Sequence, residues 1–209
     1  MSRTVTTHRQ IQGMTLLELS LTIVLVGIVG LSFVTVYGTA QRYLIQTMQM
    51  ATSQAETSFA VAHMRDKMFV ANQVLLYNTD VTRVAFRWDP NTPLANKTVA
   101  VDNDRWSAYR LINGNTLEYV GTITGVAGTS QPTLAQIDSG ANAGRETIAR
   151  NVTALQFLKS DGTPVSGLGT PVTQVLIDIS VQQPGGLGGQ NPSASHIVTV
   201  VAPRGVGSA

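Results

Sequence analysis

The chain has 209 residues, of which 43% are hydrophobic and only 12% are charged, about half the charged share of an ordinary soluble domain. That length holds one compact domain with some chain to spare for a tail or anchor. The absence of cysteine excludes a disulfide framework, a thiolate zinc site and a cysteine nucleophile. Arg3 and Arg9 account for the formal charge of +2, so residues 14–209 are neutral and offer no basic stripe for phosphates; no specific nucleic-acid partner is expected.

Residues 1–13 form a short, polar, basic segment. From Leu19 to Gln41 no residue is charged, and Leu, Ile, Val and Phe dominate as far as Tyr37. A helix over that run is about 35 Å long, enough to cross a hydrocarbon core of about 30 Å. Being apolar all round, it is either a membrane span or the centre of a helical assembly. The arginines before it favour leaving the N-terminus in the cytoplasm. Three readings compete. A cleaved secretory signal peptide fits poorly, because the apolar run is too long and no A-x-A-like site closes it. A plain signal anchor fits both length and flanks. The third reading has to explain Glu18.

Glu18 sits inside the apolar segment, after Met14, Leu16 and Leu17 and before Leu19 and Leu21. A carboxylate there costs on the order of a few kcal/mol, and such burial usually implies a partner. No Lys or Arg lies nearer than Arg9. A mature chain beginning near Met14 supplies another cation, an α-amino group, its own or a neighbour's.

After Arg42 the pattern turns amphipathic. Leu44, Met48, Ala51, Ala55, Phe59 and Ala62 recur at three- and four-residue steps, and this stripe is expected to pack on a globular core. No proline precedes Pro90, so one helix is expected from about Met14 to about Ala71. Residues 14–41 would be its apolar part and 42–71 its amphipathic continuation. His63 and Met64 lie on it and carry no assigned site.

Residues 72–209 read as a β-rich globular domain. Val81–Trp88 alternates and meets a turn at Asp89-Pro90; residues 89–104 read as a loop. Ser107–Ile112 and Thr116–Val120 flank Asn113-Gly114, a hairpin signal. Residues 121–145 read as a long loop with room for one short strand or helix. Asn151–Lys159, a turn at Asp161-Gly162, Pro171–Val181, a Gly/Pro loop at 184–192 and a last strand at 195–203 complete the chain. Four to six antiparallel strands after one long helix predict an α+β domain with the helix on one sheet face.

No H-E-x-x-H, G-x-S-x-G or G-x-x-x-x-G-K-[ST] is present, and Gly185, Gly186, Gly188 and Gly189 do not make a dinucleotide fingerprint. Three histidines, His8, His63 and His196, leave little for a metal site. Asp102-Asn103-Asp104 reads as a solvated turn ahead of a calcium site, since the EF-hand spacing is absent. Asp138 and Glu146 read as surface charges. Trp88 and Trp106 read as packing aromatics; exposed in a loop, either would be a binding anchor. No cofactor, no metal and no enzymatic activity are expected. A signal-anchored periplasmic enzyme would need a polar constellation that these residues do not supply.

Gly13-Met14-Thr15-Leu16-Leu17-Glu18, after a short basic leader and before a long charge-free run, resembles the processing site of type IV pilins and type II secretion pseudopilins. The order of the downstream pieces, YRLINGNTLEYV, IARNVTALQF, TQVLIDISVQ and a strand ending in VVAPR, is similar to minor pilins of the W type and to the J-type minor pseudopilin. The resemblance implies a pilin fold, with a leader over 1–13 removed by a prepilin peptidase between Gly13 and Met14, and N-methylation of Met14. It implies that Thr15 and Glu18 serve assembly, Glu18 by pairing with the N-terminal amine of an adjacent subunit. Met14 stands where phenylalanine is usual. Gly27 falls where many major pilins have a helix-loosening glycine, and Thr35 where many have proline, which favours a minor subunit. The implied partners are the peptidase, other pilins or pseudopilins in a filament or tip complex, an inner-membrane assembly platform and the lipid bilayer. The implied location is the inner membrane, single-pass, with the globular domain outside the cytoplasm. The alternative within this resemblance is a tip-located minor pilin whose loops at 89–104, 121–145 and 184–192 contact a surface, DNA or a secreted substrate.

Overall fold

The computed structural model describes residues 15–88, 104–167, 169–183 and 194–203. One long N-terminal helix, α1 (Leu16–Phe69), precedes antiparallel strands β1 (Gln73–Leu76), β2 (Arg83–Trp88), β3 (Arg105–Ile112), β4 (Thr116–Thr122), β5 (Ala143–Ala149), β6 (Val152–Lys159), β7 (Thr170–Val172), β8 (Val175–Gln182) and β9 (Ala194–Val201), with a short helix α2 (Leu134–Ile137) between β4 and β5. The expected α+β layout is present. Backbone contacts divide the chain into two units, Met1–Ile45 and Gln46–Ala209.

Within the first unit the chain covers none of its own apolar surface. Leu16, Ile23, Leu31, Phe33 and Tyr43 are all exposed. Its serine and threonine hydroxyls from Ser20 to Thr39 are used locally. Ser20 donates to the Leu17 carbonyl, Thr22 to Glu18, Ser32 to Ile28, Thr35 to Leu31 and Ser32, and Thr39 to Thr35. No Ser or Thr between residues 19 and 41 is left needing water, which is what a nonpolar surrounding demands.

In the second unit the strands form two sheets instead of the single sheet expected. The larger has the order β5-β4-β3-β2-β1-β7 and the smaller β6-β8-β9, with every pairing antiparallel. The α1 residues Ala60, Met64 and Met68 share a core with Val74, Leu76, Val84, Phe86 and Tyr109 of the six-stranded sheet and Phe157, Ile177 and Ile179 of the three-stranded one. The other face of the large sheet is also buried. Leu75, Ala85, Trp106, Ala108 and Val120 pack under Ile123, Leu134 and Ile137. The segment 121–145 is therefore not a free loop. It covers a sheet face, and the end of β4, α2 and the start of β5 lie within it.

Two further expectations are corrected. The stripe Leu44, Met48, Ala51, Ala55, Phe59 and Ala62 does not face the core; Leu44, Met48 and Phe59 are each more than half exposed. The buried positions of α1 are Ser53, Thr57, Ala60, Met64 and Met68. At about 100° per residue the two sets point to opposite sides of the helix. The strand expected over 171–181 is two strands in different sheets, β7 and β8. The Asn113-Gly114 hairpin is as expected, with both residues at positive φ (53° and 71°) between β3 and β4.

Candidate functional site

The residues singled out at the N-terminus divide between the described and the undescribed parts. Gly13 and Met14 lie outside the described residues. Thr15 and Glu18 lie inside them. Thr15 immediately precedes α1, and Glu18 is its third residue. The Thr15 amide and hydroxyl donate to Glu18 Oε2 at 2.9 and 3.1 Å, and the Glu18 amide donates to Thr15 Oγ1 at 3.3 Å. This is a reciprocal capping box, and the negative charge falls at the helix end that favours it. Glu18 thus has local hydrogen-bond donors within its own chain. The signal for this cap is present in the sequence as Thr-x-x-Glu before an apolar run.

Beyond the cap, the side chains of α1 from Leu19 to Tyr37 are apolar apart from Ser20, Thr22, Ser32 and Thr35. Gly27, Gly30 and Gly38 interrupt them, and an added Cβ at any of these would meet no atom of the chain. Nothing in the fold therefore requires glycine there, although each costs about 1 kcal/mol relative to alanine in a helix.

Several charged groups of the β-rich unit hold it together. Arg110, buried, donates from Nε to Glu118 Oε2 at 2.7 Å and from Nη1 to the Ile137 carbonyl at 2.9 Å. Arg83 holds Asp138 through two bonds of 3.0 Å and also pairs with Asp80. Asp138 is consequently a tether that fixes the end of α2 to the sheet, not a loose surface charge. Glu146 is exposed. Asp104 is buried against Arg87 (Nε–Oδ2 3.3 Å), so it is no solvated turn residue; Asp102 and Asn103 lie outside the described residues. Trp106 is buried beneath Arg87, whose guanidinium carbon is 5.8 Å from the ring centroid. Trp88 is half-buried and donates from Nε1 to Ser107 Oγ at 2.9 Å. Neither tryptophan is a loop anchor.

His63, on the buried side of α1, lies with Nδ1 2.7 Å from the Tyr109 hydroxyl and its ring edge-on to Tyr109 and Tyr119. Burial holds its imidazole below the ordinary value. Glu146 and Asp66 oppose that shift, and Lys67 adds to it. His196 contacts Asp178 Oδ1 at 2.8 Å on the outer face of the small sheet. Among the described residues no group of three or more His, Asp or Glu is arranged to hold a metal.

A cavity of about 450 Å³ opens beside Tyr77, Gln131, Pro132, Thr133, Leu134 and Gly169. No charged side chain lines it. The Tyr77 hydroxyl is already committed to the Pro132 carbonyl at 2.8 Å. The arrangement offers neither a nucleophile nor a base. The apolar side chains of α1 from Leu16 to Tyr37 are left exposed. Set against models of known protein families, curated protein sequences and solved structures, the chain matches none of them.

Proposed function

We propose that this chain is a structural subunit, a minor pilin or pseudopilin, cut after Gly13, methylated at Met14 and built into a filament through α1. The observation that carries the reading is the uncovered helix. Every residue from Leu16 to Tyr37 is exposed, and Leu, Ile, Val and Phe dominate among them. A surface that apolar needs lipid or other helices around it. The internal bonding of every Ser and Thr hydroxyl from Ser20 to Thr39 suits either surrounding. Gly27 and Gly30, which the fold does not require, would let a second helix approach closely. The exposed face of Met48 and Phe59 extends the apolar contact surface beyond the span. Helix exchange from lipid into a filament core then trades one nonpolar contact for another. The Glu18 carboxylate, released from its cap to a neighbour's amine, would set the register.

Removal of residues 1–13 acts as the gate, because the amine does not exist before the cut. N-terminal sequencing and intact mass of the membrane-extracted protein test this. A start at Met14 with about 14 Da added supports it, as expected for one methyl group. A start at Met1 or Ser2 leaves a plain signal anchor instead. Of the loops considered for a tip-located binding role, 121–145 is folded onto the sheet through Ile123, Leu134 and Ile137. The loops at 89–104 and 184–192, which apart from Asp104 lie outside the described residues, are the other candidates for that second reading.

A further inference from the structure

The two sheets have four edges, and three of them carry devices that block the addition of another strand. β7 is three residues long and contains Pro171. β5 carries Arg145 and Glu146, and its pairing with β4 shifts register at Leu117/Glu118. β6 has its edge covered by segments that flank the other sheet, with the Phe157 amide donating to the carbonyl of Val81 before β2 at 2.7 Å and the Val152 amide to that of Asn115 in the β3–β4 turn at 2.9 Å. Short length, proline, charge, irregular register and a covered edge are the means by which proteins keep strands from pairing.

β9 has none of these. It pairs with β8 from Val175↔Val201 to Gln182↔Ala194 without a register shift. It contains no proline, glycine, lysine, arginine or carboxylate. Residues 197–201 are Ile-Val-Thr-Val-Val, an unbroken β-branched run suited to pairing. Among the described residues no backbone group other than those of β8 bonds to it. The layer beneath it is also incomplete. On β6 the inward Leu155 and Phe157 are fully buried, whereas the inward Ile197 and Thr199 of β9 remain partly open. On its outward side Val198 and Val200 are half exposed.

We propose that β9 pairs with β9 of a second copy of this chain, antiparallel about a two-fold axis, joining two three-stranded sheets into one. The strand is complementary to itself. A register centred on Thr199 places Val198 opposite Val200 of the other copy, Ile197 opposite Val201, and Thr199 opposite Thr199. All five β-branched residues then meet a β-branched partner. No charge meets a like charge, because the one titratable group in the strand, His196, falls outside these pairs and is held by Asp178. An isologous contact of this kind closes on itself and does not propagate. The proposal concerns the β-rich unit alone and stands whether or not α1 enters a filament.

The chain has no native cysteine, so single-cysteine variants of the full-length protein in membranes report pairing directly. Opposed residues of an antiparallel pair have Cα atoms about 4.5–5.5 Å apart, inside the range a disulfide spans. Under mild oxidation Thr199→Cys is expected to give a species of twice the monomer mass. A mixture of Val198→Cys and Val200→Cys chains should cross-link more than either alone. Thr153→Cys, exposed on β6, is the control and should remain monomeric. Adding Val198→Lys and Val200→Lys to the Thr199→Cys chain should abolish the doubled species. Failure to obtain that species from Thr199→Cys and from the mixture overturns the proposal. A cross-linked product of another mass would show a different chain on the strand, and a cysteine at 199 inert to maleimide in the monomer would show the edge closed by the chain itself; either result also overturns it. Cleavage and filament incorporation are scored on the same variants, so loss of the doubled species leaves the proposed function untouched.

Discussion

Thr15 and Glu18 satisfy each other across the first turn of α1, with the carboxylate accepting from the Thr15 amide at 2.9 Å and the Glu18 amide returning to Thr15 Oγ1 at 3.3 Å. A cap and an amine partner make different demands on position 18. A cap needs only an acceptor, which glutamine also supplies. Pairing with an amine needs the negative charge. Glu18→Gln therefore separates the two roles. If the carboxylate pairs with a neighbouring amine, the glutamine variant is cut after Gly13 but stays in the membrane fraction when filaments are sheared. Thr15→Val, which loses a capping hydroxyl worth about 1 kcal/mol but keeps the charge, should reduce incorporation without abolishing it. Normal incorporation of Glu18→Gln would leave the cap as the whole explanation of this residue.

The face of α1 that meets the sheets is testable by stability. Met64 is fully buried between the sheets, and Met48 is 63% exposed on the opposite side. Met64→Ala should lower stability by about 2–5 kcal/mol, the usual cost of emptying that volume in a core. Met48→Ala should stay within about 0.5 kcal/mol. Urea titration of the detergent-solubilised full chain measures both. Equal losses would mean that both faces are packed.

Why the stripe was read on the wrong face follows from Ser53 and Thr57. Both are fully buried, but each hydroxyl bonds back into the helix, Thr57 Oγ1 to the Ser53 carbonyl at 2.6 Å and Ser53 Oγ to the Met50 carbonyl at 3.1 Å. So satisfied, they pack as small apolar groups, yet in a hydropathy pattern they mark a polar face. The opposite face resembles a core in sequence because Leu44, Met48 and Phe59 are apolar, although all three are exposed. β1 was missed for a related reason. Val74, Leu75 and Leu76 are all buried because the large sheet is covered on both sides, so the strand shows no alternation. The elements that were legible carry local chemistry, namely the charge-free run, the Asn113-Gly114 turn and the Asp161-Gly162 turn. The division into two sheets depends on long-range pairing, which no local pattern encodes. The Thr15–Glu18 cap was legible as a motif, whereas Gly13 and Met14 are known only from their resemblance.

Arg110 and Glu118 form a buried pair, 2.5 Å at Nη2–Oε2, on the face that carries α2. Arg110 also holds the Ile137 carbonyl, so it bonds the segment 123–142 to the sheet. Arg110→Leu should cost about 3–5 kcal/mol by leaving Glu118 buried without its counter-charge. The double variant Arg110→Leu/Glu118→Leu should recover most of the loss, since two apolar residues need no partner. The check is a double-mutant cycle on unfolding midpoints. If the double variant were no better than Arg110→Leu, the loss would come from the Ile137 carbonyl and not from the stranded charge.

His63 gives the fold an acid-sensitive contact. Burial between α1 and the large sheet depresses its folded pKa below the ordinary 6.5, with Lys67 on the same helix reinforcing the shift and Asp66 and Glu146 resisting it. Tyr109 and Tyr119 flank the ring; burial raises the Tyr109 pKa, so its hydroxyl stays protonated and can donate to Nδ1. The neutral imidazole is thus the form the fold prefers. Stability from this residue is fully present above about pH 6.5, where the unfolded chain is also neutral. Below that value the unfolded chain binds the proton first, so stability falls with pH until the folded pKa is passed, and then levels. A plot of unfolding midpoint against pH from 7.5 to 5 should slope downward on the acid side. His63→Gln, which cannot take up a proton, should flatten that slope while lowering stability at pH 7.5 through loss of the Tyr109 contact. If the slope persisted unchanged in His63→Gln, the carboxylates would be its source and the histidine would be a packing residue only.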